Sequence, residues 1–121
     1  MGAKKILVIE DNELNLKLVR ALLASGNYTI LEAINAETGI QMACEHLPDL
    51  ILMDIQLPGI DGLEATKIIS NDDDLKDIPV VALTSYAMQG DEEKAKAAGC
   101  IDYITKPLDT KKFLERIGKY L

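Results

Sequence analysis

The segment Lys5-Ile-Leu-Val-Ile-Glu-Asp11 decides how this chain of 121 residues folds. It is a continuous apolar run of strand length that ends in two acids. Such a run is typical of a parallel strand that is covered on both faces of a sheet. The segment therefore predicts a buried strand with a pair of carboxylates at its carboxyl end.

Four further segments resemble this first run, and helical patterns lie between them. Residues 50–53 and 79–83 are equally apolar, and Tyr28–Leu31 and Ile101–Thr105 are weaker. The helical patterns cover about residues 14–23, 36–46, 62–70, 90–98 and 109–121. Because strand and helix alternate five times, the sequence predicts an α/β fold with a doubly wound parallel sheet and right-handed crossovers.

The fourth helical segment differs from the others in what it can bury. Its inward candidates are only Ala95, Ala97 and Ala98. Alanine buries little apolar area, and burial contributes only ~25 cal/mol per Å². The first and fifth segments carry larger inward candidates, namely Leu14, Leu18, Val19, Leu22 and Leu23 in one and Phe113, Leu114, Ile117 and Leu121 in the other. We therefore expect the fourth helix to be the least firmly held and a candidate moving part.

Composition and charge limit the possible functions. A length of 121 residues with 48% apolar residues predicts one domain, residues 1–121, with a single substantial core. The net charge of −7 argues against binding of nucleic acid. The first apolar run is too short for a signal peptide or a membrane span, so we expect a cytoplasmic chain with no membrane contact. Cys44 and Cys100 form no C-x-x-C motif, which favours reduced thiols without a metal or redox role.

Polar residues end four of the strand-like runs, and together they predict a site. They are Glu10, Asp11, Asp54, Thr84 and Lys106. The carboxyl ends of parallel strands meet at the sheet edge where open α/β folds bind ligands. Converging carboxylates repel one another, which a hard cation such as Mg²⁺ relieves, and a hydroxyl with an ammonium suits a phosphoryl group.

Each of these residues also has a simpler interpretation when taken alone. Asp11 or Asn12 could be an N-cap of the first helix, Thr84 a strand-end hydroxyl and Lys106 a solvated cation. Their joint placement at four strand ends favours the functional interpretation. Asp54 stands alone in the sequence and opens a loop, so it is the natural nucleophile for an aspartyl phosphate.

Four segments carry a resemblance to a known family. They are Ile-Leu-Val-Ile-Glu-Asp-Asn-Glu-Leu-Asn from residue 6, Leu-Met-Asp-Ile-Gln-Leu-Pro-Gly-Ile-Asp-Gly from residue 52, Val-Ala-Leu-Thr from residue 81 and Asp-Tyr-Ile-Thr-Lys-Pro from residue 102. In order and spacing they resemble the receiver domain of two-component response regulators over essentially the whole chain. The pattern is most similar to stand-alone receivers of the DivK or CheY kind and to receiver modules of hybrid histidine kinases.

The resemblance implies a flavodoxin-like sheet with strand order 2-1-3-4-5 and five helices, and it implies roles at the site. Asp54 would be the phosphoacceptor for a histidine kinase or a histidine phosphotransfer protein. Asp11, Asp54 and the main-chain carbonyl of Gln56 would hold Mg²⁺, with Glu10 acting through water, and Mn²⁺ could substitute.

Further roles follow from the same resemblance. Thr84 would bond the phosphoryl group, and Lys106 would pair with it. Tyr103 would turn inward as Thr84 moves, which makes Thr84 and Tyr103 the switch pair. Gln56 and Tyr86 would flank the path of attacking water and set the lifetime of the phosphoryl group.

The leading hypothesis is a signalling switch of a phosphorelay and not a turnover enzyme. Phosphorylation would change binding of a downstream protein through the face made by the fourth helix, fifth strand and fifth helix, in a monomer or weak dimer. The main alternative is an adaptor that binds protein without phosphorylation. A flavodoxin-type electron carrier is disfavoured because Glu10 and Asp11 would repel an FMN phosphate. A hydrolytic phosphatase is disfavoured because its additional acid and cap domain have no counterpart here.

Overall fold

The computed structural model describes residues 3–24, 26–55, 57, 61–84, 90–105 and 110–121. The strands are β1 (Lys4–Ile9), β2 (Tyr28–Ala33), β3 (Leu50–Asp54), β4 (Val80–Thr84) and β5 (Asp102–Thr105). The helices are α1 (Glu13–Leu23), α2 (Ala36–His46), α3 (Gly62–Asn71), α4 (Asp91–Ala98) and α5 (Thr110–Gly118). Neighbouring strands pair in parallel in the order β2-β1-β3-β4-β5. The predicted sheet and strand order are therefore confirmed.

The sheet separates two apolar cores. Successive residues of a strand point to opposite faces, and in β1 this sends Ile6 and Val8 to one side and Leu7 and Ile9 to the other. The first side is covered by α1 and α5, and the second by α2, α3 and α4. The alternation explains why the β1, β3 and β4 segments are continuously apolar, because both faces of each central strand are buried.

Two helices bury other residues than those predicted, and a third ends earlier than predicted. In α1, Leu14 is 76% exposed and Leu18 is 44% exposed, whereas Leu16 is buried. Residues 16, 19, 22 and 23 share one face at helical spacing, and this face packs on the sheet. In α4, Ala95 and Ala98 are buried but Ala97 is exposed. The fifth helix ends at Gly118, three residues before the predicted end at Leu121.

The first three helices begin in the same way, and α4 begins differently. Asn12, Asn35 and Asp61 each accept a hydrogen bond from the backbone N–H three residues later, at 3.1, 2.8 and 2.8 Å. The prediction that Asp11 or Asn12 caps α1 is thus confirmed for Asn12. Gly90 precedes α4 with φ of 89°, and a glycine has no side chain to cap a helix.

Two further observations concern the whole described chain. Among residues 3–24, 26–55, 57, 61–84, 90–105 and 110–121, no helix has the length and apolar character to cross a bilayer. Both cysteines are free thiols, with Cys44 exposed and Cys100 buried.

Candidate functional site

The two strands that carry the acids lie side by side. Ile9 pairs with Met53, so Glu10 directly follows β1 beside Asp54, the last residue of β3. The backbone N–H of Glu10 donates to Ala33 O at 3.0 Å, which continues the sheet by one residue. Glu10 is 1% exposed and Asp54 is 5% exposed, whereas Asp11 is exposed. The edge therefore combines two buried acids with one that solvent can reach.

The three acids form a cluster that can hold a cation. One carboxylate oxygen from each of Glu10, Asp11 and Asp54 lies within 4.8 Å of the others. Oxygen ligands of this kind are those that Mg²⁺ and Mn²⁺ prefer in proteins. The donor set therefore fits the divalent cation that the sequence predicted.

Gly62 sets the position of α3 against the end of β3. A Cβ atom at this residue would lie 2.3 Å from the carbonyl oxygen of Asp54 and 2.5 Å from Cα of Ile55. No side chain fits in that space, so glycine allows the close approach of helix and strand. Sequence reasoning gave Gly62 no role, although its place between the Asp61 cap and an apolar helix was a usable signal.

Thr84 ends β4 at the same sheet edge. Thr84 is fully buried, and β4 pairs with β3 on one side and with β5 on the other. The backbone N–H of Ile55 donates to Leu83 O at 3.2 Å, which ties the residue after Asp54 to the end of β4. The hydroxyl thus belongs to the strand next to the one that Asp54 ends.

Tyr103 lies on β5 with its ring directed towards the α4 side. It packs against the core covered by α2, α3 and α4. Its hydroxyl is buried and makes no hydrogen bond of normal geometry to the described residues. Burial raises the pKa of Tyr103, the carboxylates of Asp91 and Glu92 raise it further, and the nearby Thr84 hydroxyl lowers it in part. Thr84 and Tyr103, the predicted switch pair, therefore lie near each other.

Asp102, the residue before Tyr103, faces the opposite side and binds α5. Its carboxylate accepts from Arg116 Nε at 3.2 Å, from Arg116 Nη2 and from the Tyr120 hydroxyl at 3.0 Å. Arg116 also donates to the carbonyl oxygen of Tyr103 at 3.0 Å. Burial alone would raise the pKa of Asp102, but the hydrogen bonds from Arg116, the Tyr103 amide and Tyr120 outweigh it and lower the pKa. The fifth helix is thereby bound to the strand that carries the tyrosine.

Three of the residues predicted for the site lie outside the described part of the chain. They are Gln56, Tyr86 and Lys106. The ligand role of the Gln56 carbonyl, the ammonium of Lys106 and the influence of Gln56 and Tyr86 on phosphate lifetime therefore stay predictions.

Comparisons with known proteins agree with this arrangement. Residues 6–118 match the response regulator receiver domain family. The polar-differentiation response regulator DivK of Brucella anthropi is 48% identical over 118 residues, covering 98% of this chain and 96% of that protein. The receiver domain of the sensor histidine kinase PA1611 from Pseudomonas aeruginosa PAO1, solved with magnesium in its active-site cleft, is 32% identical with a TM-score of 0.90 and 98% coverage of both chains.

A second solved structure carries a different cation. The Mn²⁺-bound form of the response regulator Rcp1 is 27% identical, with a TM-score of 0.80, and covers 96% of this chain and 90% of that one. The family match begins within β1 and runs to the end of α5, so it takes in part of β1 and all of the other strands and helices described above. This chain belongs to the response regulator receiver family and is a receiver domain of two-component signalling.

Proposed function

We propose that this receiver accepts a phosphoryl group on Asp54 in the presence of Mg²⁺ and thereby changes its binding to another protein. The observation that carries the proposal is the cluster of Glu10, Asp11 and Asp54 beside the strand that Thr84 ends. Mn²⁺ should substitute for Mg²⁺, since both prefer oxygen ligands. The domain would work as a monomer or weak dimer.

The proposed reaction moves one phosphoryl group between two side chains. An oxygen of the Asp54 carboxylate attacks the phosphorus of a donor phosphohistidine, and a P–O bond forms as the P–N bond breaks. The electron pair of the P–N bond stays on the imidazole nitrogen of the donor. No other covalent change is needed, so the receiver's contribution is positioning and charge stabilisation.

The residues at the edge divide this work. Asp54 is the last residue of a fully buried strand, which would hold its backbone in place during the attack. Asp11, Asp54 and the Gln56 carbonyl would hold the cation, with Glu10 acting through water. The cation would neutralise part of the negative charge of the carboxylates and the phosphoryl oxygens. The Thr84 hydroxyl would donate a hydrogen bond to the phosphoryl group. The ammonium of Lys106 would pair with the same group.

An exposed apolar surface beside the site suits the phosphoryl donor, a histidine kinase or a histidine phosphotransfer protein. Leu14 and Leu18 on α1 are 76% and 44% exposed, and Ile34 after β2 is 62% exposed. A groove of about 430 Å³ next to them is lined in part by Asp11, so it reaches the acid cluster. A protein that presents a phosphohistidine to Asp54 must cover this edge, and burial of apolar side chains would stabilise the encounter.

Phosphorylation would change protein binding through the surface that includes α4 and β5. A phosphoryl group that draws Thr84 towards Asp54 would change the space beside Tyr103 on the neighbouring strand. The surface of α4, β5 and α5 would then present a different shape to a downstream protein. Gln56 and Tyr86 would set how long the group survives.

The reaction is tested by labelling with acetyl phosphate. We expect one phosphoryl group per chain with Mg²⁺ or Mn²⁺ and none with EDTA, measured by intact-protein mass spectrometry at low temperature. Asp54→Asn should abolish labelling. Asp73→Asn removes an exposed carboxylate far along the chain and is the matched control, which should label like wild type. Undiminished labelling of Asp54→Asn would remove Asp54 from its role, and undiminished labelling in EDTA would contradict the need for a divalent cation.

The donor surface is tested by comparing two phosphoryl sources. Leu14→Ser should slow transfer from a phosphorylated histidine phosphotransfer protein while leaving labelling by acetyl phosphate unchanged, because only the protein donor needs the apolar contact. Ile68→Ser changes an apolar residue of α3 that is 40% exposed and should affect neither reaction. Equal slowing with both donors would indicate damage to the site itself.

The adaptor alternative makes an opposite prediction. A protein that is captured equally by wild type, Asp54→Ala and the beryllofluoride-activated form would indicate phosphorylation-independent binding. A switch requires that capture differ between the beryllofluoride form and Asp54→Ala.

A further inference from the structure

Asn15 contacts the acid cluster from the first turn of α1. Its side-chain Nδ2 donates to Oε1 of Glu10 at 3.5 Å. The backbone N–H of Asn12 donates to the same oxygen at 3.2 Å. The Asn12 side chain in turn accepts a hydrogen bond from the backbone N–H of Asn15 at 3.1 Å. Each of these three residues is therefore hydrogen-bonded to the other two.

The chemistry of the donor is what gives this arrangement a function. Glu10 is 1% exposed and lies beside two further carboxylates, so its charge needs hydrogen-bond donors. An amide donor holds the carboxylate without adding positive charge. The full negative charge of the cluster is then kept for a cation, whereas an added lysine or arginine would compete with it.

We propose that Asn15 is a positioning residue for the divalent cation and acts through Glu10. Its amide would hold Oε1 so that the Glu10 carboxylate is directed into the cluster with Asp11 and Asp54 before the cation binds. This inference rests on the metal site of the proposed function. The 3.5 Å contact should shorten on metal binding, since hydrogen bonds at such sites commonly tighten in the loaded state.

The first test is the affinity for Mg²⁺, measured by calorimetric titration of the metal alone into the protein. Groups that orient metal ligands typically change metal affinity by ten- to a hundredfold, so Asn15→Ala should raise the Kd for Mg²⁺ about tenfold. Asn15→Gln, which keeps the amide on a longer side chain, should recover part of the affinity. Asn35→Ala removes an asparagine that caps α2, away from the cluster, and should lower the melting temperature without changing the Kd.

A double-mutant cycle separates positioning from a merely structural role. If Asn15 acts through Glu10, Asn15→Ala should change the Kd by less than about twofold in a Glu10→Gln background. The same tenfold change in both backgrounds, or no change in wild type, would overturn the role of Asn15. Wild-type protein that binds no Mg²⁺ would overturn the proposed metal site itself, so the two failures are distinguishable.

Discussion

The helices on either side of β5 are held to it in different ways. On one face, α5 buries Phe113 and Ile117 and is bound to the strand through Arg116 and Asp102. On the other face, α4 buries only Ala95 and Ala98 and begins at Gly90 without a side-chain cap. Phenylalanine and isoleucine bury far more apolar area than two methyl groups. The strand that carries Tyr103 is therefore firmly attached on one side and weakly attached on the other.

This difference indicates which element can move when the site changes state. An element with few buried apolar contacts opens at low free energy, and such elements supply the moving parts of switches. Because Tyr103 faces the α4 side, we expect a change at Thr84 to reach the weakly held helix first. The fifth helix would then act as the fixed reference against which α4 shifts.

The largest expected effect concerns the stability that each helix contributes. Phe113→Ala should lower the free energy of unfolding by about 3–5 kcal/mol, because it leaves a cavity under α5. Ala95→Gly should lower it by only about 1–2 kcal/mol through lost helix propensity and one lost methyl group. Urea unfolding followed by circular dichroism measures both. Equal losses would contradict the comparison, and Phe113→Leu supplies a milder variant if Phe113→Ala does not fold.

The next largest effect is the stability contributed by the contacts of Asp102 with Arg116 and Tyr120, which should depend on pH. Because the folded pKa of Asp102 is lowered, its contribution to stability is present above the unfolded pKa of about 3.9 and is lost as pH falls through the folded pKa. Asp102→Asn should therefore cost about 1–2 kcal/mol at pH 7, with a smaller difference from wild type near pH 3. Urea titrations at both pH values measure this.

The control for this prediction is Asp73→Asn, whose side chain is 97% exposed. It should change stability by less than about 0.5 kcal/mol at either pH. A loss at Asp102→Asn that does not depend on pH would mean that packing, and not charge, binds α5 to the strand.

Activation should change the two helices unequally. With beryllofluoride and Mg²⁺, amide exchange should change most within residues 84–106, including α4, by about tenfold, and less in α1, α2 and α5. Thr84→Ala should still accept a phosphoryl group but lose most of this response, because the acceptor remains and the hydroxyl does not. Hydrogen exchange with mass spectrometry resolves these segments. A larger change in α2 than in α4 would require another output face.

The smallest expected effect compares two tyrosine hydroxyls. Tyr103→Phe should change stability by less than about 0.5 kcal/mol, because its buried hydroxyl makes no hydrogen bond of normal geometry to the described residues. Tyr120→Phe loses a 3.0 Å hydrogen bond to the Asp102 carboxylate and should cost about 1 kcal/mol. A greater loss of stability in Tyr103→Phe than in Tyr120→Phe would indicate that the Tyr103 hydroxyl makes a hydrogen bond in solution.

Much of the fold could be predicted from the sequence because the central strands are buried on both faces. The runs that contain Ile6, Leu52 and Val81 have no alternation, and the five alternations of strand and helix then fix the fold class. The strand order was not derivable in this way and came from the family resemblance. Faces of helices were less predictable, because Leu14 and Leu16 are equally apolar and only packing shows which of them is buried.

The acids of the site could be predicted from the sequence, but the residues that position the acids and their neighbours were less predictable. Strand ends gave Glu10, Asp11 and Asp54, which the fold brings together. The close approach at Gly62 and the Asn15 contact depend on where α3 and α1 begin in space, which spacing alone does not give. Likewise, Arg116 and Asp102 lie on different elements and 14 residues apart in the sequence, so their contact could not be read from the pattern.

The attachment of β5 to α5 has a consequence for the duration of the signal. Arg116 holds both the Asp102 carboxylate and the Tyr103 carbonyl, so we expect the strand backbone to stay in place and switching to require only side-chain rotation and a shift of one short helix. Such motions take from nanoseconds to about a millisecond. We therefore expect the fold to relax within that time once the phosphoryl group is lost. We expect the length of each signal to be set by the survival of the phosphoryl group on Asp54 and by nothing slower in the fold.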